Sequence, residues 1–439
     1  MRKKYHNPKL SGKGSRNGGR VGQQTQPPQG RERFVQWPLA HEEFVALAQQ
    51  SLHTFAVELG VLFAGRLLEE EVTQLCGPRY QRHVERTATR YGHQAGLVTM
   101  AGQKIKIQRP RVRSVGRTGP DTEIDLPLYQ RLQSSEAMPE ACLKRMVRGV
   151  SCRDYEGVVD LACQGFGVKK SSISRGFVRA SASAVQQLAE RRFDGLRFAA
   201  IFIDGVEYAG EILVVALGLD TEGHKHILGL RQGASENAVV VTAVLEDLVE
   251  RGLNTTVPTL FVLDGAKALS AAVKRVLGRN ALVQRCQVHK KRNVKAHLPE
   301  THHRELEQRL HRAYTASDYD WALEQLQDTV GWLKRLNPDA AASLQEGLEE
   351  TLTVVRLKLP EKLRKTLATT NPIESTLSVV GKLTARVKRW RDGDMRLRWC
   401  TAGLLRAEEK FRRIKGYREL PQLLATLDAS VLDAKPHTG

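Results

Sequence analysis

The sequence predicts a mixed α/β fold that carries an all-helical insertion and follows a basic, mainly helical region. Three observations carry that expectation. Two apolar, β-branched runs, residues 198–204 and 259–264, each stop at an Asp-Gly pair, Asp204-Gly205 and Asp264-Gly265, as buried strands do where they meet a turn. Strand-like and helix-like runs alternate around them, whereas residues 300–368 are helical in pattern throughout. Excess positive charge is confined to two segments, one at the N-terminus and one after residue 357.

The elements follow in order. Residues 1–35 are rich in Gly, Gln, Pro, Lys and Arg and hold almost nothing apolar, so they are expected to be disordered. From Pro38 to Leu75, Phe44, Leu47, Leu52, Phe55, Leu59, Leu62, Phe63 and Leu67 recur at helical spacing. Residues 96–114 alternate around Ala101-Gly102 and read as a β-hairpin that ends in Arg109-Pro110-Arg111-Val112-Arg113. Those arginines either grip backbone phosphates or protect an exposed edge strand.

Residues 150–180 are the best local candidate for a helix-turn-helix: a first helix over 154–163, a turn at 165–168, and a second helix led by Lys169, Lys170, Ser172 and Arg175. Polar, donor-rich residues at that point suit base edges, although a purely structural helical hairpin has the same pattern. Strands are then expected at 198–204, 212–219, 226–230 and 259–264, with helices at 236–251 and 266–277. Three strands with short links make an antiparallel meander. The crossover helix then lays the strand ending in Asp264 parallel to, and beside, the one ending in Asp204.

That pairing brings two carboxylates to one edge of the sheet, where two acidic groups can share divalent metal; the alternative is two ordinary turn aspartates. Helical spacing resumes at Ile373, Leu377, Val380, Leu383 and Val387, with Glu374 near the start. With Asn371 as N-cap and Pro372 next, Glu374 falls where a glutamate closes a capping box, a purely structural role. Trp390, among Arg386, Lys388, Arg389 and Arg391, is either a base-stacking group or core.

Charge narrows the function classes. There are 68 Lys+Arg against 48 Asp+Glu, a formal charge of +20. Residues 1–35 hold nine basic and one acidic residue, and residues 358–418 hold 17 and six, so the two segments contain nearly all of the excess. A polyanion explains such clustering, and nucleic acid fits better than membrane because neither segment has an apolar helical face with aromatic anchors. No long apolar run and no signal-peptide pattern occurs, and Cys76, Cys142, Cys152, Cys163, Cys286 and Cys400 are irregularly spaced. Free thiols and a cytoplasmic, nucleoid-associated location are therefore expected.

Several motifs in order resemble the Mutator-type insertion-sequence transposases of bacteria, which are DDE transposases with a ribonuclease H-like catalytic domain. They are Arg79-Tyr80 with Arg82, the hairpin arginines, Ile203-Asp204-Gly205, Leu228-Gly229 with Ser235-Glu236-Asn237, Arg251-Gly252-Leu253, Leu263-Asp264-Gly265, residues 284–289 with Arg292-Asn293, and residues 370–375. The resemblance spans roughly residues 75–418. It implies a mixed sheet of strand order 3-2-1-4-5, with Asp204, Asp264 and Glu374 as catalytic, metal-binding carboxylates. Two Mg2+ ions would be held there, Mn2+ being a substitute, with Asp204 bridging them. Cys286 and His289 match a Cys/His pair typical of the group, near the active site together with Arg292 and Asn293; two ligands are too few for a closed zinc site.

The implied organisation is a basic tail at 1–35, a DNA-binding region at 36–190, a catalytic domain at 191–299 and 369–420, the insertion at 300–368 and a C-terminal tail at 421–439. The implied partner is double-stranded DNA, both terminal inverted repeats and target, gripped by Arg109, Arg111, Arg113, Lys169, Lys170, Ser172, Arg175, Arg386, Lys388 and Arg389. A homodimer or higher assembly on DNA is expected, and no membrane. The function expected is metal-dependent strand cleavage and strand transfer; a catalytically idle DNA-binding regulator or a ribonuclease H-like nuclease are the alternatives.

Overall fold

The computed structural model describes residues 52–81, 86–100, 103–115, 122–133, 137–150, 170–208, 210–233, 238–265 and 267–432. The expected basic tail, the first helix and turn of the expected helix-turn-helix, Lys169, and Ser235-Glu236-Asn237 lie outside these residues.

The first layer of structure is a small α/β unit. Helix α1 (Leu52–Cys76) covers a sheet of β1 (Ala88–Met100), β2 (Gln103–Ser114) and the two-residue β3 (Glu123–Ile124), followed by α2 (Pro127–Gln133). Val57, Leu68 and Val72 of α1 meet Val98, Ile105 and Val112 of the hairpin, the sheet contributing alternate residues to the core as its period of two requires. The hairpin is longer than expected; β3 pairs only with Val112 and Arg113, so Arg113 is covered, whereas Arg109 and Arg111 lie where β2 has, among the described residues, β1 as its ladder neighbour on one side alone, as the edge-strand reading requires. Pro110, which has no N–H to give a ladder, sits opposite His93, where the register slips.

A helix pair follows, α3 (Ala137–Val147) and α4 (Lys170–Ala189). Ile173 and Phe177 of α4 pack on Cys142 and Met146 of α3, and the Phe177 ring lies 4.5 Å from that of Trp399 further along the chain. Lys170, Ser172 and Arg175 therefore do stand in the first turns of a helix.

The main sheet contains β4 (Phe198–Tyr208), β5 (Glu211–Asp220), β6 (Lys225–Gly233), β7 (Thr259–Leu263) and β8 (Ala281–Arg285), with α5 (Ala238–Glu250) and α6 (Lys267–Leu277) in the crossovers. Its order is β6-β5-β4-β7-β8. Pairing is antiparallel for β4 with β5 and for β5 with β6, and parallel for β4 with β7 and for β7 with β8. The meander, and the return of the second aspartate's strand to the side of the first, follow the sequence expectation. The run-on character of the strands has a physical cause: both faces are covered. Ile201, Ile203, Phe261 and Leu263 face α5 and α6, while Phe202, Val215, Leu260 and Val262 face later helices.

Beyond β8 come α7 (Gln287–Lys295) and a helical block, α8 (His303–Thr315), α9 (Tyr319–Leu336), α10 (Pro338–Gln345) and α11 (Thr353–Arg356), with a core of its own around Leu306, Leu326, Val330 and Leu344. Asp318 caps α9 by accepting from Trp321 N at 2.8 Å, and Asn337 caps α10 with Pro338 next. The chain returns through α12 (Glu361–Leu367), α13 (Asn371–Thr384), α14 (Gly393–Glu408) and α15 (Leu420–Leu432). Residues 421–432, expected as tail, are thus largely helix, and Leu420, Leu423 and Leu427 are fully buried in the sheet's core. Helix α13 ends at Thr384, so Val387 is not helical and Trp390 stands, half-buried, in an irregular segment.

Two polar knots hold this architecture. Arg251 uses all five of its N–H donors: two reach Asp247, at 3.0 and 2.6 Å, and three reach the carbonyls of Leu188, Arg191 and Leu228, at 3.0, 3.2 and 2.9 Å. Gly252 beside it has φ +98°, and a Cβ there would lie 2.6 Å from Asp194. The second knot docks the helical block on β8: Gln284 donates to Thr351 O and accepts from Val354 N, both at 2.9 Å, while Arg285 meets Glu350 at 2.9 Å.

Candidate active site

Register assembles the site. Ile203, Leu263 and Arg285 form one row across β4, β7 and β8, so Asp204, Asp264 and Cys286 make the next row outward. The period of two then sets their direction. Phe202 and Val262 belong to the core beneath α13, and Asp204 and Asp264, two residues further on, share that face. Strand spacing of about 4.8 Å sets the scale of separation between the two aspartate backbones. Asp204 is 7% exposed and Asp264 is half-buried.

One expectation is corrected here. β4 does not stop at Asp204-Gly205 but continues to Tyr208, because β5 goes on pairing with it after β7 has ended. Asp204 is therefore a strand residue at the end of the parallel ladder, and only Asp264-Gly265 is a turn, with Gly265 at φ +116°.

Helix α13 brings the third carboxylate. Ile373, Leu377 and Val380 bury its apolar face in the same core, and Glu374 and Asp264 both lie near enough to His289 for their charges to act on it. The capping box expected for Glu374 is absent: the N-cap is Thr370, not Asn371, and it makes no side-chain cap bond. Glu374 Oε1 instead accepts from the Thr370 hydroxyl at 2.7 Å and lies 3.7 Å from His289 Nε2.

Cys286 and His289 complete the group. Cys286 N donates to Leu263 O at 2.7 Å, tying it to the Asp264 strand, while its Sγ accepts from Thr370 N at 3.4 Å. The ligand atoms of Cys286, His289 and Glu374 lie within 4.8 Å of one another. The hydrogen bond with Cys286 outweighs burial and, with the nearby charges of Glu374 and Asp264, raises the imidazole of His289 to about 9. Burial pushes the Cys286 thiol up, but hydrogen bonds from His289 and Thr370 bring it below its ordinary value. Arg292 and Asn293, three and four residues beyond His289 on α7, are exposed.

The expected DNA-contact residues are spread wider. Arg111 pairs with Glu123 at 2.6 Å and Arg109 with Glu123 at 3.5 Å, while the Arg113 guanidinium lies 3.4 Å from the Tyr91 ring centre, so these three are engaged within the hairpin. Arg386, Lys388 and Arg389 are exposed beyond α13. Sequence reasoning missed a groove that begins at Ser375, one residue past Glu374. Among the described residues, its walls carry Arg148, Lys225, Lys382, Arg386, Arg406 and Lys410, and no acidic residue. These cations come from four separate stretches: Lys382, Arg386, Arg406 and Lys410 fall in the basic segment that the sequence marks, whereas Arg148 and Lys225 lie outside it and no local pattern marks them. Thr370, part of the 370–375 motif but given no role in the sequence reading, is fully buried in contact with Cys286, His289 and Glu374.

The family described as "Transposase, Mutator family" matches residues 41–404. The chain is similar to the transposase for insertion sequence element ISRM5 of Rhizobium meliloti, at 29% identity over 81% of this chain and 88% of that protein. It is likewise similar to the transposase for element IS1081 of Mycobacterium tuberculosis, at 26% identity over 86% of this chain and 91% of that one. A third relative, the transposase for element IS256 in transposon Tn4001 of Staphylococcus aureus, is 25% identical over 65% of this chain and 73% of its own length.

Proposed function

Because the chain belongs to the Mutator family of transposases, we propose that it cleaves and joins DNA strands at the ends of an insertion sequence, with Asp204, Asp264 and Glu374 as its metal-binding carboxylates. One observation carries this reading: two carboxylates stand side by side just past the end of the β4–β7 parallel ladder, on the sheet face against which the helix of the third packs. The strand order, with β5 alone antiparallel to its neighbours, supports a ribonuclease H-like catalytic domain.

The donor set fits hard divalent cations. Three carboxylates supply only oxygen ligands, and two of them, crowded on neighbouring strands, repel unless positive charge lies between. Mg2+ bound there would activate the attacking oxygen and stabilise the leaving one, as two-metal phosphodiester chemistry requires. The protein's part is placement. β4 and β7 hold Asp204 and Asp264 rigidly, α13 fixes Glu374, and His289 adds a positive charge beside the carboxylates. The groove along a neighbouring face of α13, lined from Ser375 onward, offers cations to a DNA backbone.

The test is substitution. Asp204→Asn, Asp264→Asn and Glu374→Gln are each expected to lower Mg2+-dependent cleavage of terminal-repeat DNA by about a thousandfold, the several kcal/mol that metal stabilisation contributes. Binding of the same DNA in EDTA should stay within about threefold of wild type. Full activity in any one variant would remove that residue from the site.

A further inference from the structure

The hydroxyl of Thr370 occupies an unusual place. Threonine at an N-cap ordinarily turns its oxygen to the first amides of its own helix, yet here that bond is not made. Thr370 Oγ1 lies instead 2.7 Å from Glu374 Oε1, 3.3 Å from Cys286 Sγ and 3.3 Å from His289 Nδ1, in a side chain with no solvent exposure. A hydroxyl has one proton to give. The short bond to a carboxylate takes it, a remaining lone pair accepts from His289 Nδ1–H, and Cys286 Sγ packs at 3.3 Å against the same oxygen while accepting from Thr370 N at 3.4 Å.

Resting on the proposed role of Glu374 as a metal ligand, we infer that Thr370 is the positioning residue of this site, locked by Cys286 and His289 so that its hydroxyl sets the direction of the Glu374 carboxylate. The Cys-x-x-His pair then serves the third carboxylate through a neutral oxygen. Cys286, His289 and Glu374 resemble a transition-metal triad by spacing, but the Thr370 oxygen lies within 3.3 Å of all three and fills the space between them.

Thr370→Val keeps the shape and deletes the hydroxyl, while Thr370→Ser keeps the hydroxyl. Free Mn2+ is titrated by electron paramagnetic resonance against the full chain without DNA, alongside thermal melts of every variant. Thr370→Val is expected to raise the Mn2+ half-saturation about tenfold, the worth of a hydrogen bond to a charged group, and Thr370→Ser to restore it to within about threefold. Should Thr370→Val not fold, Cys286→Ala, which loosens one side of the lock, is expected to raise it about threefold. Wild-type Mn2+ uptake by Thr370→Val, or a serine variant as impaired as the valine one, overturns the inference. So does stoichiometric Zn2+ that is lost in Cys286→Ser. An Asp204→Asn control separates the levels: if wild type takes up no Mn2+ in an Asp204-dependent way, the metal site itself fails, whereas Asp204-dependent uptake that ignores Thr370→Val defeats only the positioning role.

Discussion

The basic groove beside Glu374 makes a prediction whose size follows from counting. From Ser375 to Thr384, where α13 ends, the wall rises about 13.5 Å at 1.5 Å per residue, which spans about four nucleotides of one DNA strand. Among the described residues, six cations and no acidic residue line the groove. Of these, Arg148, Lys382, Arg386 and Lys410 are exposed, but Arg386 also packs on Gly149, while Arg406 pairs with Glu409 and the Lys225 ammonium is 4.4 Å from the Phe411 ring centre. The triple variant Arg148→Gln/Lys382→Gln/Lys410→Gln therefore removes charge with little loss of packing. Each neutralised phosphate contributes about 0.9 to the slope of log affinity against log salt, so the slope should become shallower by about 2.7. Between about 50 and 200 mM salt the affinity gap between wild type and variant should then close about 40-fold. Fluorescence anisotropy with duplex DNA in EDTA measures both slopes, and Lys334→Gln on α9, outside the groove, is the control. Parallel slopes for wild type and the triple variant would refute a backbone contact along this wall.

Two further outcomes follow from the buried polar groups. Arg251→Met leaves the carbonyls of Leu188, Arg191 and Leu228 without their donor and should destabilise the fold by about 3 to 5 kcal/mol in urea, with Arg251→Lys recovering only part; a loss under about 1 kcal/mol would show that the knot is not needed. His289 is raised from 6.5 to about 9, so its contribution, about 3 kcal/mol, is fully present below pH 6.5 and disappears as pH rises through 9. The stability gap between wild type and His289→Gln, measured by denaturant unfolding in EDTA, should accordingly be large at about pH 6 and small at about pH 10, and an unchanged gap would contradict the assigned charge.

Much of the site was legible in the chain because its parts are announced locally. A β-branched run that stops at Asp264-Gly265 needs a turn there, and the meander followed by a crossover helix leaves the strand of Asp264 one natural berth, beside that of Asp204. Local pattern misled at Asp204-Gly205, where a turn-like pair lies inside a strand because β5 keeps pairing past it. It misled again at Glu374: spacing from Asn371 and Pro372 suggested a capping box, but the helix begins one residue earlier and the carboxylate has a better donor in Thr370. The hairpin arginines read in sequence as phosphate grips or as protection of an edge strand, while Glu123 and Tyr91, brought in by folding, engage them.

The sequence by itself determined the kind of molecule: where charge collects, which runs are strands or helices, and which ordered motifs mark the family, since these depend on residues near one another along the chain. Only the tertiary structure decided that Thr370 stands between Cys286, His289 and Glu374, and that cations from four stretches line one groove. Such groups meet because strand register and helix packing bring distant side chains together within hydrogen-bonding reach, and no periodicity in the sequence encodes that meeting.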